Sequence, residues 1–165
     1  MTDVPMQEKN GEHPFGDTGQ LIALGAFLVV WVGDSFFLRA STILSDIVSL
    51  SVRLALSALV LVLAVCLAIS GHKVVCRKHN PTGVVSTGVF RYVRHPLYLG
   101  IILLYLGLCI ATASLFSVVV LTAIIFFYNY IAGYEEMLLD ARYGEGYRRY
   151  RKGTGRWLPR IGRSD

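Results

Sequence analysis

Charge is what this sequence has least of: Asp, Glu, Lys and Arg together make up 16% of 165 residues, against 54% hydrophobic residues. With a mean hydropathy of +0.54, there is too little polar material to cover a water-facing surface. That excludes a soluble globular enzyme and predicts an integral membrane protein. Cysteine is sparse as well. Cys66, Cys76 and Cys109 are widely spaced and two fall in apolar stretches, so a disulfide framework is not expected. His72, Cys76 and His79 lack a fourth ligand and match no zinc spacing, so no metal site is predicted. A basic leader is missing too: Met1 to Asp17 is acidic with Lys9 as its one cation, which reads as a short, poorly ordered polar tail and not a secretory signal. The Rossmann-type glycine loop is also absent, because Gly144-Glu145-Gly146 follows a helical pattern and not a strand.

Long apolar runs are present. Thr18 to Leu38 is long enough to cross a hydrocarbon core, and about Ile47 to Ser70 is long enough for a second crossing. Asp34, near the end of the first run, is expected to reach water at the interface, and Arg53 to snorkel towards headgroups. Leu97 to Ala132 then contributes 36 residues without a formal charge. As one straight helix these would extend ~54 Å, well beyond a core ~30 Å thick, so two spans joined near Thr112-Ala113-Ser114 fit better. Charge bias agrees: 13 of the 16 Lys and Arg lie between Gly71 and His95 or after Gly133. The positive-inside tendency places both segments in the cytoplasm, which requires an even number of crossings between them. The expected architecture is all-α, an integral membrane bundle of about four transmembrane helices with both termini cytoplasmic. It divides into a tail (1–17), two transmembrane helices (18–70) and a C-terminal half (71–165), whose Gly71 to His95 loop is expected to lie along the membrane surface.

The chemistry-bearing stretch is Gly88 to Gly100, GVFRYVRHPLYLG. Proline is most comfortable in the first turn of a helix, so Pro96 predicts a helix mouth with His95 just outside it. Unpaired N–H groups and the positive end of the helix dipole, together with Arg91, Arg94 and His95, suit an anionic group at the lipid boundary. After Gly133, Glu135, Glu136, Leu138 and Leu139 continue a helical pattern, with Gly144 a plausible stop. Acidic side chains at a helix end oppose the dipole, so the Glu pair should have a cationic partner, either a ligand or Arg142. Tyr147, Tyr150 and Trp157 interleave with Arg148, Arg149, Arg151, Lys152 and Arg156, which suits anionic headgroups better than nucleic acid.

RHPLYLG, followed after a helical hairpin by EEMLLDARYGEGYRRY and a C-terminal Pro, resembles the isoprenylcysteine carboxyl methyltransferase and phospholipid methyltransferase family of membrane enzymes. Arg94, His95, Pro96, Tyr98, Gly100, Glu135, Glu136, Gly144, Tyr147 and Tyr150 carry the likeness, which covers about Gly83 to Pro159. The resemblance implies S-adenosylmethionine as methyl donor, held on the cytoplasmic side by the C-terminal half, and a lipid-like or prenylated acceptor entering from the bilayer. On that basis His95, Pro96, Tyr98, Gly100, Glu135 and Tyr147 would bind the cofactor. Arg94, Glu136 and Arg151 would serve the reaction, an Arg fork taking the acceptor carboxylate. A carboxyl O-methyltransferase is the leading expectation. Phospholipid N-methylation, an NADPH-dependent sterol-type reductase and a non-catalytic membrane module are the competing ones. No feature specifies an oligomeric state.

Overall fold

A computed structural model describes residues 16–77 and 83–160; His79 and all of the expected tail but Gly16 and Asp17, which begin α1, fall outside these. Helix α1 (Gly16–Val32) runs on into a wide π-type turn, Gly33–Leu38, closed by Arg39 in the left-handed region. A single turn, α2 (Leu44–Ile47), leads to α3 (Leu50–Arg77). A 3-10 turn at Gly88–Arg91 precedes α4 (Pro96–Thr112), α5 (Leu115–Tyr143) and α6 (Glu145–Gly153). The described residues form no strand, only one parallel bridge between Val93 and Gly155.

Three helices are long and apolar enough to cross a membrane, Thr18–Leu38, Leu50–Cys76 and Leu115–Tyr143, which makes this a multi-pass membrane protein. Pro96–Thr112, expected as a full span, is an apolar helix of 17 residues and falls short of that length. It is housed against α3 by small residues. A Cβ at Gly100 would stand 3.1 Å from the Ala64 carbonyl, and one at Gly107 2.7 Å from Leu61, so the two backbones approach closely. The Ser57 hydroxyl donates across the same seam to the Gly107 carbonyl at 2.8 Å. The remaining core joins α1, α4 and α5 through Phe27, Ile102, Tyr105, Cys109, Leu121, Ile124 and Tyr128.

Three expectations are corrected here. Helix α3 continues through Arg77, so Gly71 to Arg77 is two further turns and not part of a surface loop. No helix breaker intervenes before Pro81, and Gly71 packs tightly on Leu97 of α4, where an added Cβ would stand 3.1 Å away. Asp34 does not reach water; it is 2% exposed. The π-type turn folds the chain back so that Asp34 accepts from the Ser41 amide at 3.0 Å and the Ser114 hydroxyl at 2.5 Å. Ser41 in turn accepts from the Phe116 amide at 2.9 Å, and Ser114 from Ser117 at 3.2 Å. This serine and aspartate cluster caps the start of α5, whose positive end offsets the buried carboxylate. Arg53 is likewise tied down: it donates to the carbonyls of Val48 at 3.1 Å and Ala111 at 3.0 Å, binding α3 to the last turn of α4.

A candidate ligand cradle at one end of the bundle

The expected helix mouth forms at one end of the bundle. Pro96 opens α4, is fully buried and leaves His95 just outside, with no side chain capping the first turn. Helix α5 passes beside it and carries Glu135 and Glu136 to the same level. His95 sits between them, Nδ1 3.5 Å from Glu135 Oε2 and Nε2 3.2 Å from Glu136 Oε1. Tyr98, one turn into α4, stacks on His95 with ring centroids 5.7 Å apart and donates its hydroxyl to Glu135 Oε1.

Glu136, 2% exposed, is the hub. Arg94 donates to Oε1 from Nε at 3.1 Å and Nη2 at 3.0 Å. Arg156 forks onto the same carboxylate, Nε to Oε1 at 2.8 Å and Nη2 to Oε2 at 2.9 Å. The hydrogen bond to Glu136 raises the pKa of Arg156 above its usual value. Arg151 stands 3.7 Å away and is half exposed. A buried carboxylate with this much cationic company is held ionised and fixed in place.

The segment after α6 folds back to complete the cradle. The Arg94 amide donates to the Gly155 carbonyl at 2.9 Å, and its Nη1 reaches the carbonyls of Arg151, at 3.2 Å, and Thr154. Tyr150 donates to the Phe90 carbonyl at 2.6 Å. Arg156 also donates to Asn129 Oδ1 at 2.8 Å, which Trp157 Nε1 approaches at 3.3 Å. Gly88, at φ +60, lets the 3-10 turn lie against α3, since a Cβ there would meet Val74 at 2.9 Å.

Two adjoining cavities share Arg94, His95, Phe90 and Leu139 as a wall. One, of 310 Å³, is bounded by Pro96, Tyr98 and Glu135; the other, of 210 Å³ and almost wholly apolar, by Tyr143, Tyr147 and Tyr150. Tyr147 is 1% exposed and its hydroxyl has no hydrogen-bond partner among the described residues. Burial, reinforced by the charge of Glu136, pushes this phenol up to about 12. A buried hydroxyl left unpaired beside a cavity is an observation that points to a ligand atom.

Seven of the nine residues singled out in the sequence surround this cradle: Arg94, His95, Tyr98, Glu135, Glu136, Tyr147 and Arg151. Pro96 forms its helix start. Gly100 lies apart: it faces Ala64 and Ala68 of α3 in the helix packing. Arg94, expected to take an acceptor carboxylate, spends its donors on Glu136 and two carbonyls. Arg142, offered as the partner of the Glu pair, lies over the Tyr143 ring at 5.3 Å. Sequence reasoning missed Arg156 as that partner, together with Asn129 and Thr154. The signal was present in the Glu pair's need for a cation, but eight basic residues follow Gly133 and spacing alone does not choose among them.

Fold and site together define a polytopic helical membrane protein with a buried charged cluster closed by its own C-terminal segment. The phospholipid methyltransferase family profile matches residues 46–146, and the chain belongs to that family. It is 28% identical over 91 residues to a protein-S-isoprenylcysteine O-methyltransferase of Schizosaccharomyces pombe, a match covering 54% of this chain and 39% of the relative. The chain thus aligns with well under half of that relative's length. No solved structure matches it.

Proposed function

We propose that this protein is a membrane methyltransferase that takes a methyl group from S-adenosylmethionine and delivers it to a lipid-like acceptor, with a prenylcysteine-type carboxylate as the preferred substrate. The observation that carries the reading is the meeting of an uncapped helix start at His95–Pro96 with Glu135 beside a cavity of 310 Å³. That pairing of positive and negative ends fits the carboxylate and ammonium of one amino-acid moiety. The unpaired Tyr147 hydroxyl and the neighbouring apolar cavity fit the remainder of a ligand with both polar and ring surfaces.

When bound, the donor would supply an electrophilic methyl on a cationic sulfur. The residues of the chain do the rest. The amides of the first α4 turn hold the carboxylate, while Glu135, oriented by Tyr98 and His95, holds the ammonium. Glu136 binds no substrate in this scheme. It fixes Arg94 and Arg156, so the C-terminal segment stays folded over the site and excludes water. An acceptor carboxylate is already ionised at neutral pH and needs no base. Arg151, the half-exposed guanidinium at the edge, is the cation positioned to meet it.

The family and the relative's name support methyl transfer over the nicotinamide-dependent reduction that the sequence left open. Phospholipid N-methylation needs a base, and Glu136 has both oxygens engaged by the guanidiniums of Arg94 and Arg156. Calorimetric titration of the detergent-purified protein with S-adenosylhomocysteine tests the donor. Saturable binding lost in Glu135→Ala is expected, and no binding in any lipid would refute it. Transfer of labelled methyl to a farnesylated cysteine analogue, compared with phosphatidylethanolamine, tests the acceptor.

A further inference from the structure

The opposite end of the bundle carries a second polar cavity, of 730 Å³, whose wall includes Ser35, Arg39, Asp46 and Arg53. It opens between the end of the α1 turn, α2, the start of α3 and the last turn of α4. Thr112, in its wall, lies at the far end of α4 from Pro96. Seventeen residues of helix separate the two ends, ~25 Å at 1.5 Å per residue. The cavity also takes in Leu50 and Arg53 at the start of α3, whose Leu50–Cys76 stretch is long enough to cross, so it sits at the other boundary of the hydrocarbon core, at headgroup depth.

Its charges are uncompensated. Among the described residues neither Arg39 nor Arg53 has a carboxylate within ion-pair distance, and Asp46 has no cation. Arg53 is half-buried, with Nε and Nη1 committed to the Val48 and Ala111 carbonyls, which leaves Nη2 as its spare nitrogen. A half-buried cation with no counter-ion is costly unless something supplies one. A separate observation points the same way: Ser35, a residue of the cavity wall, is 8% exposed and its hydroxyl has no partner among the described residues. Leu50 and Leu54, also in the wall, are exposed apolar side chains facing the surroundings of the bundle, so a ligand with a polar head and hydrocarbon chains is accommodated without burying either against its preference.

We infer that this cavity holds one glycerophospholipid of the phosphoethanolamine type, its phosphodiester on Arg39, Arg53 and the Ser35 hydroxyl and its ammonium against Asp46. A guanidinium fork matches phosphate oxygens, and one carboxylate beside two cations matches a zwitterion better than a purely anionic head. The site is independent of the methyl donor cradle, lies at the other end of α4 from it, and holds its lipid as a fixed structural ligand.

Native mass spectrometry of the detergent-solubilised protein titrated with dioleoyl phosphatidylethanolamine tests this. One saturable adduct is expected. Arg39→Asn, which keeps a residue tolerant of the left-handed backbone at this position (φ 50), should weaken it by about tenfold or more, the scale of one charge-assisted contact. The same variant should melt like the parent in lipid-free detergent, which separates lost binding from lost folding. Lys73→Gln, at the other end of α3, should leave the adduct unchanged, and Asp46→Asn should erase the preference over dioleoyl phosphatidylglycerol. Absence of a saturable adduct, or equal affinity in the parent and Arg39→Asn, would overturn the site. Tighter binding of phosphatidylglycerol than of phosphatidylethanolamine by the parent would overturn the role of Asp46. Glycerol 3-phosphate stabilising the protein as strongly as the lipid does would overturn the lipid assignment.

Discussion

Replacing Glu136 with Gln removes one charge and almost no volume from the centre of the cradle. Its effect follows from what the carboxylate touches. Arg94, 8% exposed, and Arg156, 26% exposed, each place two nitrogens within 3.1 Å of it. Arg151, 53% exposed, adds little because water screens it. An amide at this position sets an N–H group against a guanidinium and leaves two desolvated cations without a counter-charge. Breaking a buried pair in this way costs about 3–5 kcal/mol. For a chain of this size that corresponds to roughly 10 °C in melting temperature. It also corresponds to a rise of about 10²- to 10³-fold in the open population of the 151–157 segment. Fluorescence-monitored melting in detergent reads the first quantity, and amide exchange of residues 154–157 reads the second. A Glu136→Gln protein melting within about 1 °C of the parent, with unchanged exchange in that segment, would refute the hub.

Tyr147→Phe deletes a hydroxyl that has no partner, so melting at neutral pH should be unchanged or slightly higher, while affinity for S-adenosylhomocysteine should fall if a ligand atom uses that hydroxyl. The same variant tests the alkaline limb. The phenol ionises near ~10 when unfolded and at about 12 in the fold, so the native state binds the extra proton between these values. Stability should therefore be insensitive to this group below the unfolded pKa and fall as pH rises towards 12, and Tyr147→Phe should remove that one-proton slope from a melting series. Asp34→Ala orphans the Ser41 and Ser114 hydroxyls at the start of α5. A loss of about 1–3 kcal/mol in detergent melting is expected, with donor affinity unchanged because the cap is remote from the cradle. Gly100→Val forces a side chain against the Ala64 carbonyl at 3.1 Å, and a loss of at least about 1–3 kcal/mol should appear in the same assay.

Features that rest on short stretches were legible in the sequence. Pro96 announced a helix start because its ring restricts one backbone angle, and the charge-free run after it announced apolar helices. Gly144 ended α5 for a similarly local reason, its φ of +52 being one that other residues avoid. The cradle's general membership was also legible, since His95 and the Glu pair stand at the ends of adjoining helices. What was hidden depends on contacts across long separations. The pairing of Arg94 with Thr154 and Gly155 bridges some 60 residues, and no periodicity encodes it. Asp34 looked like an interfacial carboxylate because linear position says nothing of the turn that folds Ser41 back over it. Gly100 sat inside a motif, yet its reason lies on α3, where Ala64 leaves room for a bare backbone.

The way Glu136 is satisfied also imposes an order on biogenesis. Two of its guanidiniums, from Arg151 and Arg156, belong to a stretch that leaves the ribosome only after the helix bearing the carboxylate has been made. Until then Arg94 and His95, made before α5, are the groups that can meet the carboxylate. The C-terminal wall of the cradle therefore closes only after α5 has been made, when Arg151 and Arg156 reach Glu136.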